Sequence, residues 1–310
     1  MSITANPLVS VIMPAYNAEK HIAESIQCVI DQDYPDWELL VVDDGSSDKT
    51  ATIIQHFADK DSRIKYIYQQ NGRQGKARNN GLRHARGEYI AFLDADDLWI
   101  PDKLSIQVAI MQSRNVDLLY ADYFYFRDQP GQGQALNLAS GSFYGPENFE
   151  YYLATNRVGI LTVMVKKQLV DAVGGFTEDP AIQNAEDLHL WQKLYLAGGR
   201  FESLKQQLAY YRAVPDSSSS ADRQVIFEAL AGMKDLETRF PQHTAAIVAS
   251  FAKRINNYLA HSNVRNKKFL RLLKIRRQVC SGGLPDFVLS TVHRIFGMRV
   301  GRYLFMINLR

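Results

Sequence analysis

The sequence predicts an α/β fold in which a mostly parallel central sheet is flanked by helices. Over the first hundred residues, apolar strand-like runs alternate with helix-like segments, as expected for a parallel sheet covered on both faces. Two of these runs end in clustered carboxylates, and ligands of such sheets bind beyond the carboxyl ends of the strands. With 310 residues, 46% of them hydrophobic, the chain can bury a substantial core.

The elements are predicted in chain order from periodicity and turn residues. The predicted strands are Val9–Met13, Glu38–Val42, Ile64–Tyr68, Tyr89–Leu93, Leu118–Phe126 and Ile160–Val165. The predicted helices are Ala18–Ile30, Asp48–Lys60, Lys76–His84, Pro101–Met111 and a helix that begins near Asn184 and ends at Leu196. A serine run at Ser217–Ser220 predicts a boundary between a catalytic domain, residues 1–220, and a helical, basic C-terminal region, residues 221–310.

The fourth predicted strand runs directly into Asp94-Ala95-Asp96-Asp97. Asp94 and Asp96 point the same way if the extended backbone continues, so they repel each other unless a cation lies between them. A short pair of carboxylates suits Mg²⁺ or Mn²⁺, which keep coordination sites free for phosphate oxygens. The alternative is a polar turn, because Asp is a common turn residue.

The first two strands end in related ways. Val42 leads into Asp43-Asp44-Gly45, a second acidic strand end that could converge on the same bound molecule. The first strand leads into Pro14-Ala15-Tyr16-Asn17, where the proline fixes a turn and the tyrosine ring could stack on a base. An ordinary strand-to-helix turn with a packed tyrosine is the alternative.

Three later features remain open on residue chemistry alone. Lys76 and Arg78 could meet a phosphate or a base, or could belong to a solvated first helical turn. Glu186 and Asp187 at a helix start fit the helix dipole. Gly174-Gly175-Phe176 predicts a turn with a close backbone approach.

Charge and cysteine content limit the possible partners and compartment. From Asn263 to Arg310 there are eleven Lys and Arg against one acid, so the remaining 25 basic and 32 acidic residues sum to −7. Binding to nucleic acid is therefore not expected, whereas the C-terminal region could contact an anionic membrane, with a helix packed on the catalytic domain as the alternative.

Cys28 and Cys280 lie far apart, and the N-terminus lacks the pattern of a secretory signal. We expect a cytoplasmic protein, peripheral on the cytoplasmic face of the membrane if the tail docks there.

Six motifs in order resemble those of glycosyltransferase family 2, whose members are inverting enzymes with the glycosyltransferase-A, or nucleotide-diphospho-sugar transferase, fold. They are Pro14–Asn17, Val42–Ser46, Ala77–Asn79, Gly87–Asp97, Gly174–Phe176 and Glu186-Asp187. The resemblance covers Leu8 to about Arg212. It implies transfer of one sugar from a nucleotide-diphosphate sugar, with UDP as the expected nucleotide, to a hydroxyl of a glycan or lipid-linked acceptor in cell-surface polysaccharide synthesis.

The resemblance also implies roles for individual residues. Pro14, Ala15, Tyr16, Asn17 and Asp44 would contact the nucleoside, and Arg78 would lie near the base or diphosphate. Asp94 and Asp96 would form the metal motif, with Asp96 as the ligand of Mn²⁺ or Mg²⁺ and Asp94 nearer the ribose. Ala95, between them, would belong to the substrate-binding residues. Asp187 would be the general base, with Glu186 beside it. Gly174, Gly175 and Phe176 would border the acceptor.

The chain departs from the family pattern at one point. Val214 stands where members often carry a His that can join the metal or diphosphate site, which leaves the predicted metal site one ligand short. A catalytically impaired sugar-nucleotide-binding protein of the same fold is therefore the alternative function. A dehydrogenase is disfavoured because the first strand is not followed by a glycine-rich phosphate turn. The Gln-x-x-Arg-Trp motif of processive members is missing, so we expect a single sugar to be transferred.

Overall fold

The computed structural model describes residues 6–127, 156–213 and 224–251, together with residue 130 and two short strands at 134–136 and 143–144. By its contacts the chain divides into two units, Met1–Phe251 and Ala252–Arg310. The description below concerns the first unit. The predicted division at residue 220 stays a prediction, because a compact unit does not say which residues catalysis requires.

A single sheet organises the described residues. Its strands are β1 Val9–Ala15, β2 Trp37–Asp43, β3 Ile64–Tyr68, β4 Tyr89–Phe92, β5 Leu98–Trp99, β6 Leu118–Phe126, β7 Gln134–Leu136, β8 Phe143–Tyr144, β9 Met164–Lys166 and β10 Phe201–Arg212. The strand order is β3-β2-β1-β4-β9-β6-β10-β5, with β7 beside β6 and β8 beside β10. Strands β1 to β4 are parallel, whereas β9 is antiparallel to both β4 and β6. The predicted α/β fold is confirmed.

Helices connect and cover these strands. They are α1 Ile22–Ile30, α2 Thr50–Ala58, α3 Arg73–His84, α4 Lys103–Ser113, α5 Lys167–Ala172, α6 Glu186–Leu196 and α7 Gln224–Arg239. Helix α6 ends as expected at a glycine pair, where Gly198 has φ +89° and the amide of Gly199 donates to the carbonyl of Leu194 at 3.0 Å. Among the described residues, no helix is both long and apolar enough to cross a bilayer.

The central strands are buried on both faces, which explains their continuous apolar runs. In β1, Val11 and Met13 pack in one core beneath α1 and α2, while Ile12 packs in a second core with Phe92 and Trp191. Hydrophobic burial therefore fixes the register of β1, since a shift by one residue would exchange the two faces. Because β1, β2 and β4 are parallel, their carboxyl ends lie at the same edge of the sheet.

Two predictions about elements were wrong or incomplete. Instead of one strand over Ile160–Val165, a short 3₁₀ turn at Ile160–Thr162 precedes β9, which begins at Met164. The twelve-residue strand β10 was not predicted. Its register against β6 shifts between Leu204 and Gln207, and again between Gln207 and Ala209, so its polar middle breaks the alternation by which a strand is recognised.

Candidate active site

The loops after β1 and β2 are joined to each other. The amide of Asp44 donates to the carbonyl of Ala15 at 2.8 Å, and Pro14 pairs with Val42 in the sheet. Asn17 adopts a left-handed conformation, φ +49°, and its side-chain oxygen accepts a hydrogen bond from the amide of Ser47 at 2.9 Å. Tyr16 is left 56% exposed at this edge, so its ring face is accessible, as stacking on a base would require.

Asp44 organises the loop that leads into α3. Its Oδ1 accepts hydrogen bonds from Gln69 Nε2 at 2.7 Å and from the amide of Gly72 at 2.8 Å. Its Oδ2 accepts one from the amide of Arg73 at 2.8 Å. A carboxylate has about four acceptor sites, so the internal bonds leave little capacity for another donor. The predicted contact of Asp44 with the nucleoside stays a prediction.

Arg78 links the two predicted halves of the site. Its Nη2 donates to Asp94 Oδ1 at 2.7 Å, and its Nη1 donates to Glu186 Oε1 at 2.6 Å. The guanidinium lies 5.5 Å from the centre of the Phe176 ring, and the Arg78 side chain is only 2% exposed. Arg78 therefore joins the loop after β4 to the start of α6, across 108 positions of sequence. Its predicted contact with base or diphosphate stays a prediction.

A second arginine holds the loop after β4. The backbone amide of Arg212, at the end of β10, donates to Asp97 Oδ1 at 2.9 Å, and its Nε donates to the carbonyl of Asp96 at 2.8 Å. Its Nη2 reaches Glu24 on α1 at 2.6 Å. The carboxylate of Asp96 itself accepts no hydrogen bond from another of the described residues, and the neighbouring Ala95 is buried in the core.

Five acids lie close together at this edge: Asp94, Asp96, Asp97, Glu186 and Asp187. Arg78 and Arg212 contact these segments. Burial, and then the charge of Asp94, raises the pKa of Asp96 to about 6. Burial raises the pKa of Glu186 to about 7, because the opposing effect of Arg78 is smaller. A cation bound among these acids would offset their mutual repulsion and their burial.

The donor set fits a divalent metal that binds together with a phosphate ligand. No group of three or more His, Cys, Asp or Glu side chains that could hold a metal occurs in the described residues. Asp96 has free carboxylate oxygens, and Asp94 lies two residues away. Mg²⁺ and Mn²⁺ are commonly held by one or two carboxylates plus phosphate oxygens and water. The residues therefore suit such an ion when a diphosphate completes its coordination.

Asp187 lies in the first turn of α6, next to Glu186. Its Oδ1 accepts from the amide of Leu188 at 2.6 Å, and its Oδ2 lies 3.4 Å from Asn156 Nδ2. Burial raises the pKa of Asp187, and the Leu188 amide and Arg78 offset this only in part. A carboxylate with a raised pKa is a stronger base, which is the property required to take a proton from a hydroxyl.

The turn Gly174-Gly175-Phe176 is fixed from α3. Asn79 Oδ1 accepts from the amide of Phe176 at 2.8 Å, and Asn79 Nδ2 donates to the Phe176 carbonyl at 3.0 Å. A Cβ on Gly175, which has φ +65°, would lie 2.6 Å from Asn79 Oδ1, so a side chain there is excluded. Gly174 also has a positive φ. Phe176 is buried against Phe92, and the predicted contact of this turn with the acceptor stays a prediction.

Sequence reasoning did not find three residues that shape this site. Asn79 and Arg212 act on the backbone of distant segments, and Asn156 approaches Asp187 from a loop. Asn79 belongs to the motif Ala77-Arg78-Asn79, and Arg212 lies two residues before Val214, but neither position reveals the distant backbone that the side chain contacts. Val214 lies outside the described residues, as does the basic stretch after Asn263.

Comparison with known proteins identifies similar sequences and folds. The family model described as "Glycosyl transferase family 2" matches residues 10–169. The "Putative teichuronic acid biosynthesis glycosyltransferase TuaG" of Bacillus subtilis is 36% identical over 217 residues, which are 69% of this chain and 82% of that protein. The "UDP-Glc:alpha-D-GlcNAc-diphosphoundecaprenol beta-1,3-glucosyltransferase WfgD" of Escherichia coli is 39% identical over 188 residues, 59% of this chain and 68% of that protein.

A solved structure shares the fold. The crystal structure of S. aureus TarS 1-349 in complex with UDP matches with a TM-score of 0.62 at 25% sequence identity. The match covers 83% of this chain and 73% of the TarS chain. The similarity therefore extends beyond the residues that the family model matches.

Proposed function

The chain belongs to glycosyltransferase family 2, and from that premise we propose that it transfers one sugar from UDP-sugar to a hydroxyl with inversion at the anomeric carbon. Its glycosyltransferase-A fold and glycosyltransferase activity follow from its family. The nucleotide, the metal, the stereochemistry and the acceptor are parts of the proposal. The TarS complex with UDP supports the choice of nucleotide.

The observation that carries the proposal is the link through Arg78. One buried guanidinium donates to Asp94, in the loop expected at the donor, and to Glu186, next to the expected base. The donor side and the base side are thus parts of one hydrogen-bonded unit. Such rigidity favours transfer, because a reacting hydroxyl and an anomeric carbon must meet with little freedom of position.

The stereochemical proposal follows from the number of available carboxylates near the acceptor. Asp187 takes the proton of the incoming hydroxyl as the oxygen attacks, and the nucleotide leaves from the opposite face. Arg78 and the helix start hold Glu186, which leaves Asp187 as the base. A single displacement by this arrangement inverts the anomeric centre and needs no covalent intermediate on the protein.

The metal proposal rests on charge. A nucleotide diphosphate is repelled by five neighbouring carboxylates unless a cation separates them. A divalent ion on Asp96 would supply this cation and stabilise the charge of the leaving diphosphate. Asp96→Ala should weaken metal-dependent binding of UDP by about 10-fold or more while the fold is kept, as measured by calorimetric titration with Mn²⁺ and with a chelator. UDP affinity that is the same under both conditions would contradict the metal proposal.

The acceptor is proposed to be a glycan or lipid-linked hydroxyl used in cell-surface polysaccharide synthesis. The named activities of the teichuronic acid and diphosphoundecaprenol relatives support this class. We further propose that the protein acts at the cytoplasmic face of the membrane and that its basic C-terminal region contacts anionic lipid. Each basic residue near such a surface contributes about 1 kcal/mol. Sedimentation of the full chain with anionic, but not neutral, vesicles at low salt is the corresponding test.

The deciding experiment is Asp187→Asn. Asn keeps the size of the side chain but cannot accept the proton, so transfer should fall by about 100-fold or more while UDP binding is retained. Asp171→Asn provides a matched control, because Asp171 is an exposed acid paired with Lys167 on α5. A wild-type protein that binds UDP-sugars but transfers none to any acceptor would favour the alternative, an impaired sugar-nucleotide-binding protein. An unchanged rate in Asp187→Asn would exclude Asp187 as the base.

A further inference from the structure

Helix α7 packs on α6, the helix that begins with Glu186 and Asp187. Gly232 is the point of close approach, since a Cβ there would lie 3.4 Å from His189 Cδ2 and 3.8 Å from Ile182 Cγ2. Met233 and Leu236 of α7 are buried. Helix α7 thus covers both α6 and the loop before it, although it lies well beyond the residues that the family model matches.

A polar contact lies within this packing, two residues after the proposed base. His189 is two residues after Asp187 and is buried, and its Nε2 lies 3.0 Å from Asp235 Oδ2 of α7. Asp235 also accepts a hydrogen bond from Arg239 Nε at 2.6 Å. Burial would raise the pKa of Asp235, but His189 and Arg239 outweigh it and lower the pKa to about 2. Asp235 is therefore a carboxylate at neutral pH, with a defined position toward α6.

Helix α6 also contacts a second part of the site. Lys193 is buried one turn further along α6, and its Nζ donates to the carbonyls of Val173 and Gly175. Gly175 belongs to the turn expected to border the acceptor, and Val173 directly precedes that turn. The charges of Asp235 and Arg239 also act on Lys193. A displacement of α6 would therefore move the proposed base and the proposed acceptor turn together.

We propose that Asp235 of α7 is a positioning residue for transfer: through His189 it holds α6 where Asp187 meets the acceptor hydroxyl. The inference rests on the proposed role of Asp187. It assigns a task to a helix outside the matched family region. A base that is misplaced by about 1 Å can lose a large part of its effect without any loss of donor binding.

The test compares Asp235→Ala with Asp235→Asn in the full chain. Alanine removes the oxygen that lies 3.0 Å from His189 Nε2, whereas asparagine keeps an oxygen there. We expect Asp235→Ala to lower kcat for sugar transfer by about 10-fold or more, with the KM for UDP-sugar unchanged, and Asp235→Asn to restore most of the rate. Asp61→Ala is the matched control, because Asp61 is a partly buried acid paired with Arg63 away from the site. It should leave kcat unchanged.

Hydrogen exchange over Glu186–Leu196 gives a readout that is independent of activity. In Asp235→Ala these amides should exchange faster than in the wild type, while those of β1 and β2 should not change. An unchanged kcat in Asp235→Ala would overturn the inference, whether or not exchange in α6 changes. The inference would also be overturned if Asp235→Ala both raised KM and lowered thermal stability, and Asp235→Asn reversed neither change. That result would indicate general destabilisation of the fold. If Asp235→Ala does not fold, Arg239→Gln replaces it, with smaller effects expected in the same two measurements.

The result separates this inference from the proposed function. If the wild type transfers no sugar, the proposed function fails, and exchange in α6 alone then decides the positioning role. If the wild type transfers sugar and Asp187→Asn does not, but Asp235→Ala is fully active, the proposed function stands and the positioning role is overturned.

Discussion

Acids lie near both edges of the parallel part of the sheet formed by β1, β2 and β4, and their bonding differs between Glu38 at one edge and the acids after β4 at the other. At the amino ends, Glu38 is buried and accepts hydrogen bonds from Ser10 Oγ at 2.7 Å and from the Arg86 amide at 2.8 Å. The Arg86 side chain adds further bonds to Glu38 Oε2. Burial alone would raise the pKa of Glu38, but Ser10 and Arg86 outweigh it and lower the pKa.

After β4 and at the start of α6, three acids are less completely compensated than Glu38. Burial raises the pKa of Asp96, Glu186 and Asp187, and the arginines nearby do not compensate for it. Glu38 therefore serves the fold, because its own chain meets its bonding needs. Asp96, Glu186 and Asp187 are less completely compensated by their own chain, which is the arrangement expected where a cation or a proton takes part in function. A buried carboxylate whose hydrogen bonds are all made within the chain stabilises the fold, whereas one that is incompletely hydrogen-bonded is a candidate for function.

The largest effect on this comparison is expected from Arg78→Met. It removes the buried cation that joins Asp94 to Glu186, and breaking such a buried pair costs about 3–5 kcal/mol of unfolding free energy. Arg86→Met is the matched change at the amino ends. The Arg86 side chain is 71% exposed, so its loss should cost about 1 kcal/mol or less. Urea unfolding of both variants measures the difference, and equal losses would show that the two ends are not distinguished by burial of their cations.

A smaller effect is expected from Glu38→Gln. The amide keeps the size of the side chain but cannot satisfy all the donors of Ser10 and Arg86, so the unfolding free energy should fall by about 1–3 kcal/mol. The rate of sugar transfer should not change, since Glu38 lies at the opposite end of the strands from the proposed site. Glu186→Gln should show the opposite pattern. Its unfolding free energy at neutral pH should fall less than that of Glu38→Gln, and its rate of sugar transfer should be lower than in the wild type. Loss of transfer in Glu38→Gln would refute the division of roles.

The smallest effect is expected in the pH dependence of stability. The folded-state pKa of Glu38 lies below its usual 4.5, so its contribution is present above pH 4.5 and is lost as the pH falls through the folded-state value. The pKa of Glu186 is raised from 4.5 to about 7, so folding binds a proton between these values and stability falls as the pH rises through them. Glu186→Gln should flatten that fall, and Glu38→Gln should alter only the acid limb. Urea unfolding at a series of pH values would detect either change, and a curve unaffected by Glu186→Gln would contradict the raised pKa.

The sequence alone determined the repeated strands and helices of the first hundred residues. Continuous apolar runs such as Val9–Met13 specify strands that are buried on both faces, and this is a local property of the chain. The sequence also located the acids at the strand ends, because a carboxylate directly after a buried strand must emerge at the edge of the sheet. The family motifs added the identity of the enzyme class.

Only the tertiary structure decided which of these residues meet. Arg78 and Glu186 are 108 positions apart, and Arg212 and Asp96 are 116 apart. Their contacts depend on the insertion of antiparallel β9 between β4 and β6 and on the register shifts of β10. Local periodicity carries no record of strand order, since any order of the same strands would bury the same faces. The burial of Arg78 and the packing of α7 on α6 were therefore decided by long-range packing, which no single segment of the sequence specifies.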